Sequence, residues 1–220
     1  MKFDILTIFP NAFSYFDESI IKRAKEKNII KIDITDIRDF SNDKHKIVDD
    51  KPYGGGPGML MKFQPIYDAL EYIKKKNKKI KKTKIILFSP TGKKFDQNIA
   101  KKYSKLDQII MISGHYEGVD KRIEKFIDEK ISIGDFVLTN GNIPAMIVVD
   151  AVSRLLPGVL GNDESFKNDS FYNDLTLEYD QYTKPEVVEV NNKKLRVPKV
   201  LLSGNHEEIR KWRELKKNKL

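Results

Sequence analysis

Hydrophobic residues in this chain fall in short runs separated by polar breaks, and two periods are visible. Lys2 to Phe9 is an apolar run with one acid inside it, Asp4, and it stops at Pro10, which predicts a strand. Tyr15 to Lys27 has the spacing of an amphipathic helix, and Ile29 to Ile37 alternates apolar and polar residues as a strand does. Pro65 to Lys76 reads as a helix that decays into a lysine-rich loop. Lys84 to Ser89 is a predicted strand, Asp96 to Tyr103 a helix and Gln108 to Ser113 another strand. Strands alternating with helices predict an α/β fold, a mainly parallel sheet with helices on both faces. The stretch Ile133 to Gly161 is read as an apolar strand-like run, a polar Asn-Gly turn, and a nearly all-apolar helix ending at Pro157-Gly158. That helix carries one cation, Arg154, which faces either a site or partner, or water by snorkelling from the helix end.

The pattern divides the chain into three parts: an α/β domain over 1–161, a linker over 162–174 with no periodicity, and a C-terminal unit over 175–220. In the last part Pro198 to Leu220 reads as helical, with Asn205 or Ser203 capping the helix that starts near Glu207. Its cations Arg210, Lys211 and Arg213 interleave with the single Trp, Trp212. They form either a nucleic-acid face or the solvated side of a helix that packs Ile209, Trp212 and Leu215 inward.

Parallel α/β sheets bind ligands at the carboxyl ends of their strands. Three Gly-containing loops stand at such places: Ser89-Pro90-Thr91-Gly92, Ser113-Gly114-His115-Tyr116-Glu117-Gly118, and the pair Ile133-Gly134-Asp135 and Thr139-Asn140-Gly141, read as bracketing a third strand. Each alone is an ordinary turn; together they predict a pocket that holds a ligand through main-chain groups. There is no dinucleotide fingerprint, no Walker motif and no nucleophile elbow. Gly54-Gly55-Gly56-Pro57-Gly58 is followed by no Lys-Ser/Thr pair, so it reads as a docking surface for a bulky substrate and not as a phosphate cradle.

Composition narrows the classes. Hydrophobic residues make up 40% of the 220, enough for a core, and no apolar run approaches the roughly 20 residues of a spanning helix. With no Cys, disulfides, thiolate chemistry and Cys-based zinc sites are excluded. The three histidines lack ligand spacing, so no metal site is expected. A soluble, cytoplasmic protein without membrane contact is the expectation. The net charge of +9 suits a polyanionic partner, although an excess of Lys over the seven Arg also follows from an A/T-rich genome.

Several ordered stretches together resemble one family, the bacterial tRNA (guanine-N1)-methyltransferases of the SPOUT superfamily, over essentially the whole chain. They are Phe3 to Pro10, Val48 to Met59, Ser113 to Gly118, Ile133 to Gly161, Asn168 to Phe171, Tyr182 to Pro185 and Val200 to His206. The resemblance implies a deep trefoil knot in the α/β domain, a small helical C-terminal domain that binds tRNA, and a homodimer with active sites at the subunit interface. It implies transfer of a methyl group from S-adenosylmethionine to N1 of guanosine 37, beside the anticodon. The donor would be held by Ser89, Pro90, Gly114, Tyr116, Glu117, Ile133, Gly134, Asp135, Phe136, Val137, Leu138 and Gly141, and the tRNA by Asp50, Gly58, Ser165, Arg210, Lys211 and Arg213. Magnesium is left open as an additional cofactor. The chain departs from the family pattern at Asn140 and Asn142, where Gly-Gly-Glu is usual around Gly141, at Gln181 in place of His, and at Lys184 in place of Arg. Methylating guanine N1 removes its proton and builds charge on O6. Asp169 on the linker is the expected base and Arg154 the expected O6 stabiliser. The alternative is a non-catalytic RNA-binding protein on the same scaffold.

Overall fold

The computed structural model describes residues 1–161, 170–172 and 177–217. The chain divides into two compact units, Met1–Asp163 and Glu164–Leu220. The first contains β1 (Lys2–Thr7), α1 (Ser19–Glu26), β2 (Lys31–Asp36), β3 (Asp49–Asp50), β4 (Leu60–Met61), α2 (Phe63–Lys76), β5 (Thr83–Lys94), α3 (Gln97–Tyr103), β6 (Gln108–Ile112), β7 (Glu129–Ser132) and α4 (Asn142–Ser153), with 3-10 turns at Pro10–Asp17, Ile37–Phe40 and Lys121–Phe126. The second contains β8 (Val187–Val190), β9 (Lys193–Arg196), α5 (Lys199–Leu202) and α6 (His206–Lys216).

Five strands form one sheet in the order β2-β1-β6-β5-β7, every pair parallel. The alternation of side chains along each strand sorts them between two cores. Phe3 and Ile5 of β1, Ile109 and Met111 of β6, and Ile86 and Phe88 of β5 pack on one face, with Ala24 of α1, Ile99 of α3 and Val148 and Val152 of α4. Leu6, Ile110, Ile112 and Leu87 pack on the other, against Ile66, Leu70 and Ile73 of α2. β1 and β6 are buried throughout because both faces are covered.

The acid inside the first strand has a structural reason. Asp4 is 1% exposed; its Oδ1 lies 3.0 Å from Lys2 Nζ, and its Oδ2 accepts from Gln108 Nε2 at 2.6 Å. Lys2 also reaches Asp33 Oδ2 at 3.1 Å and donates to Asn77 Oδ1 at 2.7 Å. A buried charge paired and hydrogen-bonded on several sides is tolerated where an isolated one is not. This cluster ties β1, β2, β6 and the end of α2 together at the amino-terminal edge of the sheet.

Three elements differ from the pattern reading. The predicted Tyr15 to Lys27 helix is two pieces, because the backbone is extended at Glu18 and left-handed at Ser19. The strand before the third loop is Glu129–Ser132, earlier than read, and Ile133 to Leu138 is loop. The C-terminal unit is not purely helical: β8 and β9 form an antiparallel hairpin turned by Asn191-Asn192, both with positive φ. That turn chemistry is the type that suits a two-residue hairpin. Among the described residues no helix is long and apolar enough to cross a membrane.

Candidate functional site

The carboxyl ends of β6, β5 and β7 open onto a cleft of about 330 Å³, and all three predicted loops line it. The first loop is a bulge within β5. Phe88 and Lys93 both pair with Ile131, so Ser89 to Gly92 are pushed out of the sheet. Ser89 Oγ accepts from the Thr91 amide at 3.3 Å and lies 3.1 Å from the Thr91 hydroxyl.

The second and third loops are clasped together. The Gly141 amide donates to the Gly114 carbonyl at 2.9 Å, and His115 and Asn140 form an isolated antiparallel bridge. The clasp requires glycine at 141, since a Cβ there would stand 2.8 Å from Ser113 Cα and 3.2 Å from the Gly114 nitrogen. One residue on, Asn142 starts α4 and is 4% exposed. Its Oδ1 accepts from the hydroxyls of Thr7 at 2.9 Å and Ser113 at 2.6 Å, and its amide donates to Asn140 Oδ1 at 2.9 Å. Asn140 and Asn142 thus fix the ends of β1 and β6 to the start of α4.

The end of the glycine run after β3 packs here, while Gly54 to Gly56 stay exposed. Gly58 has φ +80°, and a Cβ there would come within 2.5 Å of Glu117 Cγ. The Glu117 amide donates to the Met59 carbonyl at 3.0 Å, and the Met61 amide to the Gly118 carbonyl at 3.0 Å. Gly58, predicted as a substrate contact, therefore lies directly against Glu117 in the wall of the cleft.

Of the predicted donor residues, Ser89, Pro90, Gly114, Tyr116, Glu117, Ile133, Gly134, Phe136, Val137, Leu138 and Gly141 line the cleft. Asp135 does not: it pairs with Lys94 at the surface, because its direction in the Gly134–Phe136 turn is outward. His115, Glu124, Thr139, Asn140 and Pro144 line it too and were missing from the predicted set. His115 and the Thr139-Asn140 pair stood inside the loops singled out in the sequence; Glu124 and Pro144 come from a 3-10 turn and a helix start and left no local signal. The His115 ring packs edge-on against Phe9 and Tyr116, with centroids at 5.0 and 4.5 Å, and its Nδ1 is buried without a hydrogen-bond partner among the described residues. Hydrogen bonds from Lys121 foremost, opposed by burial and reinforced by Lys130, hold the Glu124 carboxyl below its usual range. Glu117 is exposed to the cleft and belongs to no ion pair among the described residues.

The remaining predicted residues are more scattered. Arg154 is not a buried cation; it is exposed at the C-cap of α4, its amide bonded to the Asp150 carbonyl. It ends a stripe of α4 that includes Ile143, 52% exposed, Ile147, 39% exposed, and Asp150, whose carboxylate accepts from the Tyr15 hydroxyl. That hydrogen bond, with burial and the carboxylate's charge, raises the Tyr15 phenol above its ordinary range. Asp50 is exposed, 3.8 Å from Lys62 Nζ. Asp169 and Ser165 lie outside the described residues. In the second unit Asn205, not Ser203, caps α6, accepting from the amides of Glu207 and Glu208. Arg210, Lys211 and Arg213 are all exposed on α6; Lys211 pairs with Glu207 at 2.8 Å and Arg213 lies over the Tyr179 ring at 4.9 Å. Ile209 and Trp212 are half-buried, but Leu215 is 83% exposed and does not pack inward as the helical period suggested. Among the described residues no group of three or more His, Cys, Asp or Glu could hold a metal.

The chain is similar to known proteins. Residues 1–220 match the family described as tRNA (Guanine-1)-methyltransferase TrmD. A tRNA (guanine-N(1)-)-methyltransferase of Clostridium botulinum is 52% identical over 98% of this chain and 86% of its own length. One from Clostridium novyi is 55% identical over the same shares. The crystal structure of tRNA (m1G37) methyltransferase from Aquifex aeolicus superposes with a TM-score of 0.79 at 39% identity, covering 96% of this chain and 87% of that one. The chain belongs to the tRNA (guanine-N1)-methyltransferase family.

Proposed function

We propose that the protein methylates N1 of guanosine 37 in tRNA, with S-adenosylmethionine held in the cleft at the carboxyl edge of the sheet. The observation that carries this reading is that three loops, two of them clasped together, line one cleft of about 330 Å³, in a chain whose residues 1–220 match the methyltransferase family. That volume is within the range of small-molecule sites. The backbone of the Ile133 to Leu138 loop along the cleft would hold the nucleoside, and the Glu117 carboxylate, in no ion pair among the described residues, suits a positively charged sulfonium ligand. When bound, the donor supplies an electrophilic methyl group.

The chain's own residues do the rest. Asp169 takes the N1 proton, and Arg154 stabilises the negative charge that grows on O6. A carboxylate with a reference pKa near about 3.9 is a weak base, so proton removal accompanies methyl attack or follows exclusion of water. Arg210, Lys211 and Arg213, with Asp50, Gly58 and Ser165, are assigned to the tRNA. The protein acts as a homodimer whose active sites each draw on both chains. The exposed stripe of Ile143 and Ile147, with Tyr15 46% and Phe9 41% exposed, supports such an interface. The trefoil knot belongs to this reading. Two tight backbone passes are in keeping with it: that of Gly141 by Ser113, and that of Gly92 by Ile131, where a Cβ on the glycine would stand 2.6 Å from the Ile131 nitrogen.

The test is incubation with methyl-labelled S-adenosylmethionine and total tRNA, followed by nucleoside analysis. Labelled 1-methylguanosine mapped next to the anticodon is the expected product. RNA binding without any labelled nucleoside would favour the non-catalytic alternative instead.

A further inference from the structure

The edge of the sheet opposite the cleft carries a concentration of charge that the methyl-transfer reading does not use. Eight of the eleven residues from Lys74 to Lys84 are lysine, and none is acidic. The strand register shows where they lie. Lys31 of β2, Lys2 of β1, Gln108 of β6 and Thr83 of β5 stand side by side at the strands' amino-terminal ends. The segment from the end of α2 to Thr83 runs along that edge, next to the turn that carries Lys105. Each strand of about six residues spans roughly 20 Å between this edge and the cleft.

The lysines divide into two sets. Lys74, Lys76 and Lys84 are engaged by Glu71, Asp33 and Glu129. Lys75, Lys78, Lys79, Lys81, Lys82 and Lys105 are exposed and in no ion pair among the described residues. Nor is the segment a loose tail. The Ile80 amide donates to the Asn77 carbonyl, the Asp107 and Gln108 amides donate to the Lys82 carbonyl, and the Lys82 amide donates to Asp107 Oδ2. The Asn77 side chain is bound into the buried Lys2–Asp4 cluster at 2.7 Å. Free cations are thus presented along a fixed backbone, at a density that raises the local potential and that only a polyanion offsets across its whole length. Between Asn77 and Lys82 there is no exposed aromatic or large apolar side chain to stack on a base or to enter a bilayer, since Ile80 is half-buried. Lysine ammonium groups act on phosphate as point charges without reading sequence.

We infer that this lysine edge is a second RNA-contacting surface, remote from the cleft, which holds backbone phosphates irrespective of sequence. It would retain RNA near the enzyme in addition to the tRNA segment being methylated. The inference does not depend on what the cleft binds.

The test compares a variant carrying Lys79→Gln, Lys81→Gln and Lys82→Gln with one carrying Lys22→Gln, Lys44→Gln and Lys125→Gln, which alters net charge equally at other exposed lysines. The probe is a short fluorescent RNA hairpin lacking an anticodon loop, titrated over a range of salt, with melting temperatures taken to confirm folding. The first variant should bind the hairpin at least about tenfold more weakly at low salt, with the log–log salt slope reduced by about two units. The second should keep the wild-type slope, and S-adenosylmethionine affinity should be unchanged in both. Equal weakening in the two variants would reduce the effect to net charge and overturn the inference. So would unchanged hairpin binding in the first. Loss of binding to phosphatidylserine vesicles by the first variant, with RNA affinity intact, would assign the edge to a membrane surface and overturn it as well.

Discussion

Asn142 places one buried carbonyl oxygen between the Thr7 and Ser113 hydroxyls, and its replacement by Ala would take the acceptor from both O–H donors, although Thr7 Oγ1 would still accept from the Phe9 amide. Leaving such groups unsatisfied costs about 1–3 kcal/mol each, less where one can turn to another acceptor. Asn142→Ala should therefore lower unfolding free energy by about 1–3 kcal/mol in urea titrations, and weaken donor binding because the clasp loosens. A stability equal to wild type would show that the hydroxyls re-pair locally. Gly58→Ala probes the contact with Glu117. The left-handed backbone at Gly58 disfavours any Cβ by about 1–2 kcal/mol, and the added methyl displaces the Glu117 side chain. Donor affinity should fall more than stability does; the reverse order would make Gly58 a purely structural glycine. At this scale the sequence was informative where glycine spacing marks close backbone passes. It was silent on Asn142, whose partners lie 135 and 29 residues away, and on the outward turn of Asp135.

Among the elements, the strands and helices of the sheet were legible because the cores sort odd from even positions along β1, β5 and β6. The break at Glu18–Ser19 was not, since the amphipathic period carries through it. The hairpin was missed although Val187 to Arg196 alternates around Asn191-Asn192, because the lysines within it masked the pattern. Asn192→Ala should destabilise that hairpin by about 1–2 kcal/mol, the cost of left-handed backbone without an Asn or Gly, measurable as faster amide exchange in β8 and β9. Unaltered exchange would mean that neighbouring packing, and not the turn, sets its stability. Strand pairing also makes the fold pH-dependent. Burial alone would raise the Asp33 carboxyl, but the hydrogen bond and charge of Lys2, with Lys31 and Lys76, lower it. At Glu129 burial is likewise outweighed by hydrogen bonds from Tyr103 and Lys84. Both acids are thus depressed in the folded state, so their stabilisation is complete above the ordinary carboxylate range and is lost as pH falls through their lowered values. Thermal melts should show stability declining in acid below that range, with a shallower decline in Asp33→Asn. An identical acid profile in that variant would place the linkage elsewhere.

For the whole molecule, the nearly all-apolar sequence of α4 hinted at a partner, and the structure localises its apolar exposure to Ile143 and Ile147, in line with Arg154. If Arg154 and Asp169 serve one guanine from different subunits, Arg154→Ala and Asp169→Ala chains should each be inactive alone and regain activity when mixed and allowed to exchange. Free exchange without recovery would put both residues in one chain. The joining of three distant loops into one cleft was legible from their glycines and their places at strand ends, whereas the share of Glu124 and Pro144 in its lining became evident only in three dimensions. The measurement that bears most directly on that cleft as the donor site is calorimetric titration of S-adenosylmethionine into wild-type protein and into Gly141→Val, with circular dichroism to verify folding. The predicted result is saturable binding by the wild type and none detectable by the folded variant, in which the added side chain meets the Ser113 backbone. Equal donor affinity in the two folded proteins would contradict it.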